Sequence, residues 1–155
     1  MNKKILFLLL GCMLMFTSCL KSGLDEIENS SLCAVSSVTM EYRWISQNAN
    51  GYDQLSRQQL TLSNNVPDEN NEIHFAVTVP AASSNFPEDI RNVVELDGLY
   101  MVMVISPAAK IAPVGDAPVL GMPGHYEIGT PYQYEVTAAN GDKAIYTVVI
   151  EDFIK

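Results

Sequence analysis

The sequence contains few residues that could form a reactive centre. Its two histidines, His74 and His125, stand alone, without a cysteine or second histidine at the spacing of a metal site. A serine hydrolase of the common type needs a Gly-x-Ser-x-Gly turn, and the sequence has none. The Asn- and Asp-rich stretch 64–72 offers oxygen ligands for calcium but lacks the regular EF-hand spacing. We therefore expect a protein that is not an enzyme and that holds no metal or cofactor.

Aromatic side chains are the remaining candidates for a binding site. Tyr52 and Tyr126 lie in predicted loops, where an exposed ring can stack on a sugar or anchor a partner protein. Trp44 continues the apolar face of a predicted strand, so core packing is its simpler interpretation, and it remains a third candidate. With the Gly- and Pro-rich run 113–130, these residues predict a module that binds a glycan or a neighbouring surface lipoprotein. The alternative is a spacer or assembly subunit that offers an open sheet edge.

The N-terminus has the order of a secretion signal. Two lysines precede a short apolar run, Ile5 to Phe16, and small residues then lead to Cys19. The run is shorter than the ~20 apolar residues that span a bilayer. The segment Phe16-Thr-Ser-Cys19 resembles a bacterial lipobox, although Leu is commoner at the first of these positions. It predicts that Cys19 is lipidated and holds the chain to a membrane.

These features divide the chain into three parts. We predict a signal peptide at 1–18, a lipidated N-terminus with a flexible tether at 19–34, and one domain at 35–155. The predicted location is the outer membrane, with the domain at the cell surface or on the periplasmic side. Removing the signal leaves 7 basic and 18 acidic residues, a net charge of −11. Because nucleic acid repels so acidic a chain, we expect no nucleic-acid partner.

The cysteines agree with a secreted chain that has no internal disulfide. Cys12 lies in the predicted signal and Cys19 is the predicted lipidation site, which leaves Cys33 alone. We interpret Cys33 as an incidental thiol, and pairing between molecules is the alternative.

A β-hairpin over residues 132–150 is the clearest structural signal. A two-residue turn at Asn140-Gly141 would place Val136 opposite Ile145. A three-residue loop would instead place Tyr134 opposite Tyr146 and collect the aromatic residues on one face. Because a slip of one residue exchanges the two faces of a strand, burial favours the three-residue loop, with Gly141 in the left-handed conformation.

The rest of the domain reads as further strands and one short helix. Alternating apolar residues predict strands at Val35–Ile45, Gln58–Ser63 and Glu72–Val79, and the apolar run Leu99–Ile105 predicts a strand covered on both faces. Residues 86–93 have helical spacing, with Pro87 and two acids suited to the first turn. Residues 106–130 should be mostly loop, with an edge strand near Lys110–Ala112. The pattern predicts an all-β antiparallel sandwich.

Several segments together resemble a known family. These are Glu72-Ile-His-Phe-Ala-Val-Thr-Val-Pro80, Ser106-Pro-Ala-Ala-Lys-Ile-Ala-Pro113 and the hairpin Tyr134 to Val148, with Met40-Glu-Tyr-Arg-Trp44 before them. The order resembles the immunoglobulin-like domains of Bacteroides-type surface lipoproteins, in a group of unknown function. The resemblance covers nearly all of residues 35–153 and departs at the predicted helix and at Asn140, where Asp is usual. It implies a fold and a location, but no catalytic residues.

The lipidation prediction can be tested with Cys19→Ser. The parent chain should partition with the detergent-soluble membrane fraction of a Gram-negative host, because acyl chains on Cys19 would hold it there. The variant should leave that fraction. A variant that stays with the membrane would contradict lipidation at Cys19.

Overall fold

The computed structural model describes residues 30–155, and within them the chain forms two facing β-sheets. One sheet has the strand order β2-β1-β5-β7 and the other β3-β4-β9-β8-β6. The strands are β1 (Val35–Gln47), β2 (Asp53–Gln59), β3 (Thr61–Leu62), β4 (Glu72–Thr78), β5 (Asp97–Ile105), β6 (Lys110–Val114), β7 (Pro123–His125), β8 (Pro131–Thr137) and β9 (Lys143–Ile154). The predicted all-β sandwich is confirmed.

The core lies between the sheets and is built from alternating strand residues. In β4, Ile73, Phe75 and Val77 are fully buried, while His74 between them faces solvent. From β1 and β5 the opposite sheet contributes further apolar side chains, among them Val38 and Met101. Strands with one apolar face must bury it against another layer, and here each sheet covers the other.

The β8–β9 hairpin has the predicted register. Tyr134 lies opposite Tyr146 and Val136 opposite Ala144, and all but Ala144 are buried. The Gly141 amide donates to the Ala138 carbonyl at 3.0 Å, and Gly141 has φ +98°. This closes a three-residue loop with glycine in the left-handed conformation that other residues adopt at a cost.

One strand pair is parallel, which differs from the antiparallel sandwich that we expected. Strand β4 runs beside β9 in the same direction, from Glu72 opposite Thr147 to Thr78 opposite Ile154. The parallel arrangement is possible because a long connection, including the other sheet, separates the two strands in sequence. Strand β9 therefore lies in the centre of its sheet, between β4 and β8.

The first hairpin repeats the loop chemistry of the last. Strands β1 and β2 are joined by Asn48 to Tyr52, in which Gly51 donates to the Asn48 carbonyl at 2.9 Å and has φ +79°. Both loops contain Ala-Asn-Gly, at 49–51 and 139–141.

The prediction of one strand at Gln58–Ser63 was wrong, because the chain already pairs with β1 from Asp53 and passes to the other sheet at Leu60.

Two further predictions need correction. The second face of β5 is not covered, because Val102 and Val104 are 36% and 53% exposed. The run after β5 contains the expected edge strand, as β6, but also β7, which pairs with the start of β5. Strand β7 was not predicted because its sequence, rich in proline and glycine, has no alternation of apolar residues.

The predicted helix is present but short. Helix α1 spans Glu88–Asn92, with Pro87 at its N-cap. It lies in the connection that leads from β4 in one sheet to β5 in the other, as expected. Within the described residues, no helix is long and apolar enough to cross a membrane.

The last residues of the predicted tether are attached to the sandwich. The Ser30 carbonyl accepts from the Asn140 amide at 3.2 Å, and the Cys33 carbonyl accepts from the Tyr146 hydroxyl at 3.2 Å. The Ala34 carbonyl accepts from the Ser106 amide at 2.9 Å. Residues 30–34 are thus fixed beside the β8–β9 loop rather than free, and Cys19 lies outside the described residues.

We predict that truncating the central aromatic pair destabilises the domain strongly. Tyr134→Ala should lower the free energy of unfolding by about 3–5 kcal/mol, because it empties a fully buried site. The control, Gln133→Ala, changes an exposed residue on the same strand and should stay within about 0.5 kcal/mol of the parent. Urea unfolding measures both; equal losses in the two variants would contradict the assigned faces.

Candidate functional site

The structure places Trp44 beside a polar cleft. Trp44 is half-buried near the end of β1, and its ring lies 6.1 Å from the ring of Tyr42, nearly parallel to it, and 5.8 Å from that of Phe86. Phe86 is fully buried and comes from the connection before α1. These two contacts fix the indole plane, so that its remaining surface lines the cleft.

The cleft is formed by the inner face of the β1–β2 hairpin and the segment 84–87. It has a volume of about 480 Å³, within the usual range of small-molecule sites. Apart from Trp44 and Pro87, its lining is polar: Ser46, Gln47, Gln54, Ser56, Arg57, Ser84 and Asn85. None of these is an acid, although the whole chain is acidic.

The polar groups on the hairpin wall are already ordered by one another. The hydroxyls of Ser46 and Ser56 lie 2.6 Å apart, and the Gln54 side-chain amide donates to the Ser46 hydroxyl at 3.3 Å. Each hydroxyl can still donate or accept another hydrogen bond, and the amide retains a carbonyl oxygen. An aromatic ring beside hydroxyl and amide groups is suited to a polyhydroxylated ligand with one apolar face.

The three aromatic candidates do not form one platform. Tyr52 is 70% exposed in the β1–β2 loop and does not line the Trp44 cleft. Tyr126 is 2% exposed, so our expectation of an exposed loop ring at this position is wrong. Its ring packs edge-on against Tyr132 at 5.5 Å. Of the three, only Trp44 lies in a cleft with polar groups around it.

Tyr126 is buried because its ring packs against the backbone of Gly124 in β7, where no side chain stands in the way. A Cβ atom at Gly124 would lie 2.7 Å from the Tyr126 hydroxyl and 2.7 Å from the Pro118 Cβ, so only glycine fits. Burial raises the Tyr126 pKa to about 12, and the nearby Met101 backbone offsets part of that rise. That backbone group is not placed to complete a hydrogen bond, and the hydroxyl has no partner within the described residues.

A second cleft lies next to Tyr126, with a volume of about 520 Å³. Its walls are apolar, including Pro118, Val119 and Met122, and its rim carries Asp116 and Glu127. His125 and Thr130 add further hydrogen-bonding groups, but the ring of Tyr132 in its lining is itself buried. This cleft therefore offers polar groups without the partly exposed aromatic ring found beside Trp44.

Neither histidine is part of a metal-binding group. His74 lies 3.3 Å from carboxylate oxygens of both Glu72 and Glu151, and His125 lies 3.3 Å from Asp97. These are exposed pairs on strand faces. Among residues 30–155, no three His, Cys, Asp or Glu side chains are grouped to hold a metal ion.

In the Asn- and Asp-rich stretch 64–72, which offered oxygen ligands for calcium, Asp68 has a structural role. Its carboxylate accepts from the backbone amides of Glu72 and Asn70, at 2.9 and 2.8 Å. These hydrogen bonds, to Glu72 first, lower the Asp68 pKa. The acid therefore closes the turn before β4.

Sequence reasoning identified Trp44 but missed its polar neighbours. Ser46, Gln54 and Ser56 lie on the same hairpin face as Trp44, and the Ala-Asn-Gly loop could have revealed that hairpin. Asn85 could not be found in this way, because it reaches the cleft through a connection about forty residues later in the chain.

The architecture defines a β-sandwich module, and comparisons with known proteins give it a family. The DUF5018-related family model matches residues 35–149, so the chain belongs to that family. A crystal structure of a Bacteroides fragilis protein described as secreted is similar, with a TM-score of 0.70 and 27% sequence identity. The match covers 81% of this chain and 98% of that one. No curated protein matches the chain.

The unpaired Tyr126 hydroxyl leads to a paired prediction. Tyr126→Phe should leave the free energy of unfolding unchanged or raise it by up to about 1 kcal/mol, because a buried hydroxyl without a hydrogen bond is removed. Tyr134→Phe is the matched control. It should lower that free energy by roughly 1–3 kcal/mol, since the Tyr134 hydroxyl donates to the Pro118 carbonyl at 2.9 Å. The two variants can be compared by urea unfolding; the opposite order would refute this assignment.

Proposed function

We propose that this protein is a lipid-anchored, non-catalytic module of the outer membrane that binds a glycan in the Trp44 cleft. The observation that carries the proposal is the half-buried indole surrounded by serine hydroxyls and side-chain amides. The aromatic face can cover the apolar C–H face of a sugar ring, while hydroxyls and amides exchange hydrogen bonds with its hydroxyl groups. The lining contains no acid, and its single cation, Arg57, lies 3.8 Å from the Glu41 carboxylate, which offsets its charge; an uncharged glycan is therefore the favoured ligand.

The anchoring part of the proposal rests on the sequence and on the similar protein that is described as secreted. The lipobox-like segment before Cys19 supports attachment through lipid, and the Bacteroides fragilis relative supports export of the chain. A wider relationship with immunoglobulin-like surface lipoprotein domains also remains our proposal. It is supported by the sandwich architecture and by the sequence resemblance.

The position of the cleft suits an anchored receptor. The chain enters the domain at residues 30–34, beside the β8–β9 loop and Ser106. Strand β1 then runs from Val35 to Trp44, a distance of about 30 Å for nine residues at ~3.3 Å each. A tether that leaves from Ser30 therefore holds the Trp44 cleft at the far end of the sandwich, away from the anchor.

The second candidate is a spacer or assembly subunit. It is favoured by the scattering of Trp44, Tyr52 and Tyr126 over separate environments, because these three rings form no extended aromatic surface. It requires no ligand in the cleft.

A glycan array probed with the chain lacking its first 19 residues tests the proposal. We expect an uncharged glycan to be retained, and its affinity to fall about three- to tenfold in Gln54→Ala and in Asn85→Ala, as for loss of one or two hydrogen bonds. Both side chains are exposed, so the fold should tolerate either change. Trp44→Ala should abolish binding.

Two exposed controls complete the test. Tyr52→Ala and Gln133→Ala should bind like the parent, because neither residue lines the cleft. Binding that is lost with Tyr52→Ala but kept in the cleft variants would place the site on the hairpin loop instead. An array without any retained glycan would reject the binding function and leave the spacer.

A further inference from the structure

We propose that the free edge of β2 pairs with β2 of a second copy of this chain, in antiparallel orientation and centred on Leu55. Within residues 30–155, strand β2 is the outer strand of its sheet and pairs only with β1. The interaction surface is therefore a sheet edge together with the exposed side chains along it.

The described sheets have four edges, and β2 differs from the other three. Strand β3 has two residues, β7 has three and begins with Pro123, and β6 contains Pro113, which has no N–H to donate. Short strands and prolines are the usual protection of sheet edges against pairing. Strand β2 has seven residues without a proline or glycine. It is thus the one long edge among the described strands that no proline interrupts, and its protection is limited to the charges of Asp53 and Arg57.

The backbone pattern shows which groups are free at this edge. The Leu60 amide donates to the Met40 carbonyl, and the Asn48 amide donates to the Tyr52 carbonyl. The backbone N–H and C=O groups of the even-numbered residues of β2 therefore point towards β1. In an antiparallel ladder, alternate residues direct both backbone groups to the same side. The N–H and C=O groups of Asp53, Leu55 and Arg57 therefore point away from β1, towards a strand that could be added.

Side-chain charge selects one register for two copies. When Leu55 lies opposite Leu55 of the second copy, Asp53 of each copy lies opposite Arg57 of the other. All three residues use their free backbone groups in this register. The neighbouring registers, shifted by two residues, place Leu55 opposite one of the charged residues and lose both ion pairs. Opposite charges across a ladder are favourable and like charges are not.

The side chains that would meet are exposed. Leu55 is 65% exposed, and Ile45, directly across from it on β1, is 64% exposed. Both lie on the outer face of the sheet with Asp53 and Arg57. Pairing would bring two copies of this apolar pair together, with an ion pair on each side. This self-complementarity favours a second copy over an unrelated peptide strand.

Pairing would also bring the two Trp44 clefts together. The two-fold axis of such a pair is perpendicular to the sheet, so both inner faces lie on the same side. Gln54 of one copy would lie opposite Ser56 of the other, and both residues line the cleft. The residues 30–34 of the two copies would lie at opposite ends of the joined sheet. If the proposed function holds, the pair offers one longer glycan groove between two anchoring points.

Charge reversal tests the edge and its register together. Sedimentation velocity under reducing conditions, which exclude pairing through Cys33, should show a concentration-dependent dimer of the chain lacking its first 19 residues. Asp53→Arg alone or Arg57→Asp alone should raise the dimer dissociation constant by about tenfold. The double variant D53R/R57D should recover most of the lost affinity, because the opposite charges again face each other between the copies, while the new acid at position 57 lies beside Glu41 of its own copy.

A matched reversal on another edge serves as the control. Asp116→Arg changes an exposed acid after β6 and should leave the dissociation constant unchanged. A chain that remains monomeric at millimolar concentration would overturn the proposal. A dimer that the double variant fails to restore would overturn the Leu55-centred register. Neither measurement involves a glycan, so failure here is distinguishable from failure of the glycan site.

Discussion

The packing of Tyr134 against the core, opposite Tyr146, is the constraint on which the sandwich depends. Burying this pair selects the three-residue loop of the last hairpin, because the alternative register would place the two rings on opposite faces and turn one of them towards solvent. The register of β8 on β9 then fixes which face of β9 is apolar. Since β9 lies in the centre of its sheet, its faces determine where β4 can pair. The Tyr146 hydroxyl also holds Cys33, and with it the entry of the chain into the domain.

The proposed binding cleft follows from this constraint through a continuous series of contacts. Strand β4 runs parallel to β9, and the Val79 amide continues the ladder by donating to the Ile154 carbonyl at 2.8 Å. The chain then crosses to the other sheet and buries Phe86 against Trp44. The far wall of the cleft thus belongs to the connection between sheets, while the near wall belongs to the β1–β2 hairpin. The cleft lies at one end of the sandwich because the β1–β2 hairpin and the segment 84–87 meet there.

Local sequence was sufficient for the strands and the last hairpin, and insufficient for the environments of single side chains. Alternation predicted β4, and aromatic burial predicted the pairing of Tyr134 with Tyr146, because both depend on nearby residues. The parallel partner of β4 was not predictable, since strand pairing across a long connection leaves no local signal. Tyr126 was wrongly expected to be exposed because its cover depends on Gly124 and Pro118 in a Pro- and Gly-rich segment without clear periodicity. Trp44 was identified as a candidate, but its polar surroundings depend on tertiary contacts.

Trp44 is the single tryptophan of the chain, so its indole N–H gives one resolvable resonance that reports on the cleft directly. The most direct test of the account is a ¹⁵N-correlated NMR titration of the chain lacking its first 19 residues with an uncharged oligosaccharide retained on the array. We expect the indole resonance and the side-chain amide resonances of Gln54 and Asn85 to shift together and saturate at one ligand concentration. An oligosaccharide that binds while these three signals remain unchanged would contradict a glycan site in the Trp44 cleft.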